Sequence, residues 1–397
     1  MKPLLSLFLL FCIGLLSCVE TYDVEINTSK GYLLVDGVLT DLNEPQVITI
    51  SRTLEDASFS SSEYSASIRS KETTTLPVTQ AQVKVVVNDK ETLELTEIEP
   101  GYYQLPNGFR GKVGNTYQLM FLTTDGKRYT SSVEKMLPVP TIKNIYDEFN
   151  PKGIKSAFPG SEQIACNNIY VDFDDTANEK NFYRWRWVNW EIQTICETCR
   201  QGKYYLYETG NGITGDCYRD LTLLGNNLYD YSCDNLCWDI FYSSDINIQS
   251  DIYTDGQSQK GKLAAQIPLI QSNASLVSVQ QMSLTPNAYR NLKLLQDQSV
   301  NTGTLADTPP APIKSNVNNI KDEQELVLGF FTVSSVSEIR FNLTRKNTSG
   351  GAYNNIFKTI NNRDAIYEEP SNERPYIPLA ICKKSRKRTP SMPQGWK

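Results

Sequence analysis

The sequence predicts a mainly β protein: an N-terminal β-sandwich followed by a larger β-rich domain with one or two short helices. Three observations predict it. Tyrosine is abundant, with 22 residues, and many of these fall beside Val, Ile and Thr on strand-like runs, the composition that suits a pleated, half-buried surface. Over the first part of the chain, short alternating runs are separated by turn signals at intervals of about 8 to 12 residues, the pattern of a sandwich. At 397 residues the chain also exceeds the roughly 250–300 residues at which a single hydrophobic core stops growing, so two domains are expected.

Ahead of the first domain, MKPLLSLFLLFCIGLLSC carries one charge, Lys2, and an apolar run from Leu4 to Leu16. That run is shorter than the roughly 20 residues of a bilayer span, so residues 1–17 read as a signal peptide. Leu15-Leu16-Ser17-Cys18 resembles the lipobox, where a small residue before a cysteine lets a signal peptidase cut and the new amino-terminal cysteine receives acyl chains. Cys18 is thus the expected lipidation site and the link to a membrane, each buried methylene contributing roughly 0.8 kcal/mol. Residues 18–30 form the lipidated tether. Glu20, Asp23 and Glu25 resemble the acidic export signal that sends Bacteroidota lipoproteins to the outer face of the outer membrane. The expected location is the outer membrane, lipid-anchored, at the cell surface; the competing reading is a solvated periplasmic tether.

The sandwich is placed at residues 31–140. GYLLVDGVLT and QVITISR form two strands around an Asn/Pro turn, with Ile48 and Ile50 on one face and Val47, Thr49 and Ser51 on the other. A Ser/Thr-rich stretch from Leu54 to Thr79 has few apolar anchors and reads as a long loop. Strand signals resume at Ala81 to Val87, followed by an Asn88-Asp89 turn, and again at Gly101 to Leu105 and Thr116 to Thr123. Asp125-Gly126 then sits between two alternating runs, a hairpin signal. Leu137-Pro138-Val139-Pro140 closes the unit, because proline removes a backbone donor and ends pairing.

The second domain, residues 141–397, is stranded again at Asn168 to Asp174 and at NFYRWRWVNWEIQT. In the latter run, Tyr183, Trp185 and Trp187 share one face, while Phe182, Arg184, Arg186, Val188 and Trp190 share the other. Rings and guanidinium planes stack on flat ligands, so Tyr183, Trp185, Trp187, Arg184 and Arg186 are the candidate ligand or partner contacts. The competing reading is a buried strand whose arginines snorkel or pair. Within SLTPNAYRNLKLLQDQS, Thr285 is placed as N-cap, Pro286 at the first helical position, and Ala288, Leu292 and Leu295 on one stripe, which predicts a helix. A Pro-rich loop from Asp307 to Pro312 precedes a strand from Leu326 to Val333, where Gly329 marks a bulge or a close approach.

The chain contains no histidine, which removes Ser-His-Asp and Cys-His nucleophiles and His-bearing zinc sites together. No catalytic residue, metal or cofactor is assigned. Asp172-Phe173-Asp174-Asp175 supplies carboxylates that suit an acidic turn or a weak calcium site as well as a glycan hydrolase. A net charge of −6 with interspersed signs gives no field for nucleic acid. Of the 9 cysteines, Cys12 leaves with the signal peptide and Cys18 takes lipid. Outside the cytoplasm, Cys196, Cys199, Cys217, Cys233, Cys237 and Cys382 are disulfide candidates, with connectivity open and an odd thiol left over once Cys166 is counted. A four-thiolate zinc site from Cys196-x-x-Cys199 and Cys233-x-x-x-Cys237 is the competing reading. The basic run Lys383 to Arg388 reads as a solvated tail, with Trp396 available to dock the end of the chain.

In order, the lipobox, YLLVDGVLTD, PGYY, GKVGNTYQLMFLTTDGKRYTS, MLPVPTI, NFYRWRW, QQMSLTPNAYRNLKLLQDQ and APIKSNVNNIKDEQELVLGFFTVSSVSEIR resemble the Bacteroidota lipoproteins grouped as domain of unknown function 4249. The resemblance covers nearly the whole mature chain. It implies an N-terminal carboxypeptidase-regulatory-like β-sandwich and a role as surface partner of a TonB-dependent outer-membrane barrel, with no catalytic residue to carry over. Where the family tends to have a second cysteine near its end, this chain has Cys382 followed by Ser385. The functional expectation is a non-enzymatic accessory or binding partner of such a transporter. The alternatives are a structural subunit of an outer-membrane assembly, secretion or adhesion complex, and a carboxylate-based glycan hydrolase.

Overall fold

A computed structural model describes residues 31–53, 75–154, 163–210, 212–221, 223, 227–299, 313–348 and 355–397. The signal segment, Cys18, the acidic tether, residues 54–74 of the Ser/Thr-rich stretch and the Pro-rich loop from 307 to 312 lie outside the described residues; the end of that stretch, expected as loop to Thr79, instead contains the strand Thr75–Pro77. The fold is mainly β, with helices at Pro286–Ser299 and Ile356–Asn361. Among the described residues no helix is long and apolar enough to cross a membrane.

Alternating apolar residues put one face of each early strand into a shared core, and two sheets close over it. The first sheet runs Val327–Ser334, Leu33–Thr40, Val47–Thr53, Tyr102–Gln104, Thr96–Glu99, with Thr75–Pro77 also pairing Val47–Thr53. The second runs Val317–Asn319, Arg128–Ser131, Thr116–Leu122, Gln82–Val87, Glu91–Glu94, with Glu134–Lys135 pairing Thr116–Leu122. Between them Val35, Ile48, Ile50, Val85, Leu119 and Phe331 are fully buried, each contributing roughly 1.5–3 kcal/mol of burial. Asn88 and Asp89 take positive φ of 51° and 56°, the twist a tight hairpin needs. Gly126 does the same at φ 81°.

Two of these strands, Val317–Asn319 and Val327–Ser334, arrive from far along the chain. Val327–Ser334 lies parallel to Leu33–Thr40, and Val317, Val327, Phe331 and Val333 join the core. Residues 31–140 therefore do not complete the sandwich by themselves: without the return, Leu33–Thr40 would present a bare edge. The chain passes directly from Val327–Ser334 in the first unit, through Ser335, to Val336–Leu343 in the second.

The second unit is also layered. One sheet has the order Ile142–Ile154, Ile164–Asp174, Ser258–Pro268; the other has Val336–Leu343, Ser275–Ser283, Phe182–Ile192, Trp238–Tyr242, Arg388–Thr389, with Asn247–Ser250 pairing Phe182–Ile192. Ile169, Val171, Phe173, Tyr183, Trp185, Ala265, Ile267 and Val277 fill the space between. Thr285 caps the helix as the sequence indicates, its Oγ1 accepting from the Ala288 N–H at 3.3 Å. The expected stripe is only partly used: Ala288 and Asn291 are buried, whereas Leu295 is exposed. The helix is held instead by Tyr289, whose ring packs on Phe182 at 4.6 Å, and by Asn291, which donates to the Lys314 carbonyl.

The C-terminal run is not a solvated tail. Arg388 is buried and its Nε donates to Asp239 at 2.7 Å, Arg386 meets Glu99 at 2.7 Å, and Trp396 packs edge-on to Trp238 at 5.6 Å. Carboxylates contributed by distant strands pair with Lys383, Arg386 and Arg388, which the local sequence does not reveal, while Lys383 to Lys387 stay exposed.

Candidate functional site

The aromatic-and-arginine strand Phe182–Ile192 is central in its sheet, and its two faces meet different surroundings. Tyr183, Trp185 and Trp187 point into the core and are buried; they are packing residues and no ligand reaches them. The Tyr183 hydroxyl donates to Asp175, and burial together with that carboxylate pushes its phenol well above the ordinary range. Lys262 lies 4.4 Å from the centroid of Trp185 and covers that ring. The Tyr and Trp half of the predicted contact set is thus corrected to core, for the reason that a second sheet packs over that face.

Arg184 and Arg186 project from the opposite face into a cleft between the two units. Cross-strand neighbours set the floor: Arg184 lies opposite Met282, and Arg186 opposite Gln280, with Val336 and Glu338 one strand further on. The sandwich supplies the facing wall, where the Asp41 carboxylate accepts from the Val336 N–H at 2.9 Å. Glu44 and Asp36 act on Arg186 through space. Burial pushes the Arg184 guanidinium down to about 10, with repulsion from Arg186 adding to it against the pull of Asp36 and Asp245. Burial likewise lowers Arg186 and raises Glu44, the latter opposed by Arg186. A strut crosses one side: Arg386 lies 3.4 Å over the Tyr102 ring, while the Tyr242 hydroxyl donates to the Arg386 carbonyl at 2.9 Å.

The cysteines build a second surface. Disulfides join Cys196 to Cys233, Cys199 to Cys217 and Cys237 to Cys382. Their sulfurs are therefore committed to one another, and the CxxC pair is split between two bridges. Cys166 is free and buried, and burial raises its thiol to about 11, so it is protonated at neutral pH and donates to Asn168 Oδ1 at 3.4 Å. The bridges frame a hairpin of Gly202–Thr209 and Gly212–Arg219. Period-two alternation puts Tyr204 inward, where it is buried, and Tyr205, Tyr207 and Tyr218 outward on one face.

On that face Tyr218 meets Tyr205 edge-on at 5.7 Å and Tyr207 at 6.2 Å. The Tyr207 hydroxyl donates to Asp216, which raises its phenol to about 12, and Lys383 caps the same carboxylate. A shallow groove of about 670 Å³ runs along Tyr205, Tyr207, Tyr218, Arg219, Asp220 and Leu221. This surface escaped the sequence reading. The signal for it was Tyr205 and Tyr207 two apart, with Tyr218 beyond the Gly-Asn-Gly sequence.

The acidic run is not an exposed turn: Asp172 and Asp174 end the strand Ile164–Asp174, and Asp172 and Asp175 are buried. Asp172 accepts from the Gly261 N–H at 2.8 Å, which holds its carboxyl below the usual range, helped by Asn144 and Lys260 and opposed by burial. Asp174 pairs with Lys143. Asp175 turns away from both and lies with Asp251 and Asp255, their oxygens within 4.8 Å of one another; Asp175 and Asp255 also accept from the Gly256 and Asn178 N–H groups. These bonds pin adjacent loops.

No curated protein and no solved structure matches the chain. The family described as a domain of unknown function (DUF4249) matches residues 19–340, and with that match spanning most of the two layered units, the chain belongs to this family.

Proposed function

We propose that this protein is a non-enzymatic outer-membrane lipoprotein, anchored through Cys18 at the cell surface, that acts as accessory partner of a TonB-dependent barrel. The observation that carries the docking part is the tyrosine face of the stapled hairpin. Tyr205 is 45 % exposed, Tyr207 37 % and Tyr218 51 %, on a strand pair whose base is cross-linked. Tyrosine supplies a large contact area with little rotamer entropy to lose, and a pre-organised platform reduces the cost of binding. The anchor is supported by the lipobox-like Leu15-Leu16-Ser17-Cys18, and the identity of the partner by the family's likeness to transporter-associated lipoproteins.

Affinity capture of the tagged protein from outer membranes in mild detergent is expected to recover a TonB-dependent barrel. A Tyr207→Ser/Tyr218→Ser variant is expected to recover at least tenfold less. Recovery of the monomer alone at native expression would overturn the reading. The same exposed face suits a structural subunit of an envelope assembly, and recovery of such components in place of a barrel would favour that second reading. Replacement of Cys18 by alanine is expected to release the protein from the membrane fraction.

A further inference from the structure

We propose that the cleft between the two β units is an anion-binding site in which Arg184 and Arg186 receive the carboxylate of an organic ligand. The argument begins with a contrast inside the molecule. Other arginines in confined positions meet a carboxylate at contact distance: Arg345 with Glu191 at 3.0 Å, Arg388 with Asp239 at 2.7 Å, and Arg363 with Asp230 at 2.6 and 2.8 Å. Arg184 and Arg186 do not. Among the described residues no carboxylate lies within ion-pair distance of either, and Arg186 donates only to the neutral Gln280 Oε1 at 3.3 Å.

Two guanidinium groups two residues apart on one strand face repel each other, and confinement away from water raises the cost of both charges. Carboxylates are at hand, since Asp36 and Glu44 act on Arg186 electrostatically, yet they stay on the opposite wall. The two side chains together present a fork of planar donors on one strand face, the geometry that takes a carboxylate bidentately.

The facing wall narrows the ligand further. Asp36 and Glu44 disfavour a doubly charged phosphate, and they accommodate a hydroxyl-bearing or positively charged portion of the same molecule. The ligand class is therefore a carboxylate-bearing molecule whose remaining charge is neutral or positive. Tripeptides with a free carboxy terminus have this character.

The test uses the full lipidated protein in detergent with trialanine, trialanine amide and inorganic phosphate at matched ionic strength, read by calorimetry and by the thermal unfolding midpoint. Trialanine is expected to bind saturably and raise the midpoint by a few degrees. Its amide and phosphate are expected to bind at least tenfold more weakly. An Arg184→Gln/Arg186→Gln variant is expected to lose the trialanine effect while unfolding, without ligand, at or above the native midpoint, because an unpaired charge has been removed.

Absence of binding to the native protein, equal binding of the amide, or tighter binding of phosphate would each overturn the proposal. So would a ligand-free midpoint in the variant well below that of the native protein, which would make the two arginines structural. Arg184→Lys keeps the charge and loses the fork, and an unchanged trialanine affinity there would count equally against it.

Discussion

At Gly329 the backbone takes φ +80°, and a Cβ there would sit 2.0 Å from the Val35 carbonyl oxygen. The close approach anticipated from a glycine within a strand is thus between the parallel partners Val35 and Gly329. Gly329→Ala is expected to destabilise by more than about 1 kcal/mol, since both the conformation and the space are wrong, and urea unfolding measures it. Arg345 presents the same scale differently. Its φ is +55°, and its side chain and that of Glu191 are both 0 % exposed. Arg345 Nη1 also donates to the Gln271 and Asn273 carbonyls at 2.9 Å. Arg345→Met strands the Glu191 charge and is expected to cost about 3–5 kcal/mol, whereas pairing it with Glu191→Leu recovers part of that loss. Neither residue stood out in the sequence, because an ion pair across 154 residues has no local signature.

The stapled hairpin shows what an element gains from cross-links. Cys199–Cys217 closes a separation of 18 residues, for which loop entropy gives about 3 kcal/mol, and Cys237–Cys382 closes one of 145, for which it gives more. Reduction is expected to leave the two sandwiches folded while the hairpin and the C-terminal run become sensitive to limited proteolysis; an unchanged cleavage pattern would contradict this. By non-reducing intact mass, the processed protein is expected to be lighter by about two hydrogens for each of the three bridges. Unfolding without reductant is expected to expose one alkylatable thiol, Cys166, since lipid occupies the sulfur of Cys18. The six bridged cysteines were legible as candidates from their clustering and the export signal. Their partners were not, because pairing depends on Tyr231, Ala380 and Ile377 drawing the chain end onto the hairpin base.

Across the whole molecule, the return of residues 317–334 joins the two units. A fragment of residues 31–140 lacks Val317, Val327, Phe331 and Val333 from its core and is expected to give poorly dispersed amide resonances, unlike the full chain. Glu325 fastens the return. Its carboxylate accepts from Asn319 at 2.6 Å, Lys127 at 3.2 Å and Tyr129 at 3.0 Å. Burial works to raise its carboxyl, but these donors outweigh it and hold the group below its usual value. A carboxyl depressed in the folded state contributes stability above its unfolded value, and that contribution is lost as pH falls through the folded one. Urea midpoints are therefore expected to drop on acidification through the carboxylate range, with Glu325→Gln flattening part of the slope. An identical slope in the variant would remove Glu325 from the account.

The sequence by itself determined the β class, the early hairpins, the capped helix and the six cysteines available for bridging. Each of these depends on alternation, turn chemistry or residue type within a few positions. Only the tertiary structure decided that Trp185 is core while Arg184 faces a cleft, that strand 327–334 completes the first sandwich, and that Lys383, Arg386 and Arg388 near the end meet carboxylates. Those outcomes are set by which distant sheet covers a face and which distant carboxylate reaches a charge, and a local pattern carries no record of either.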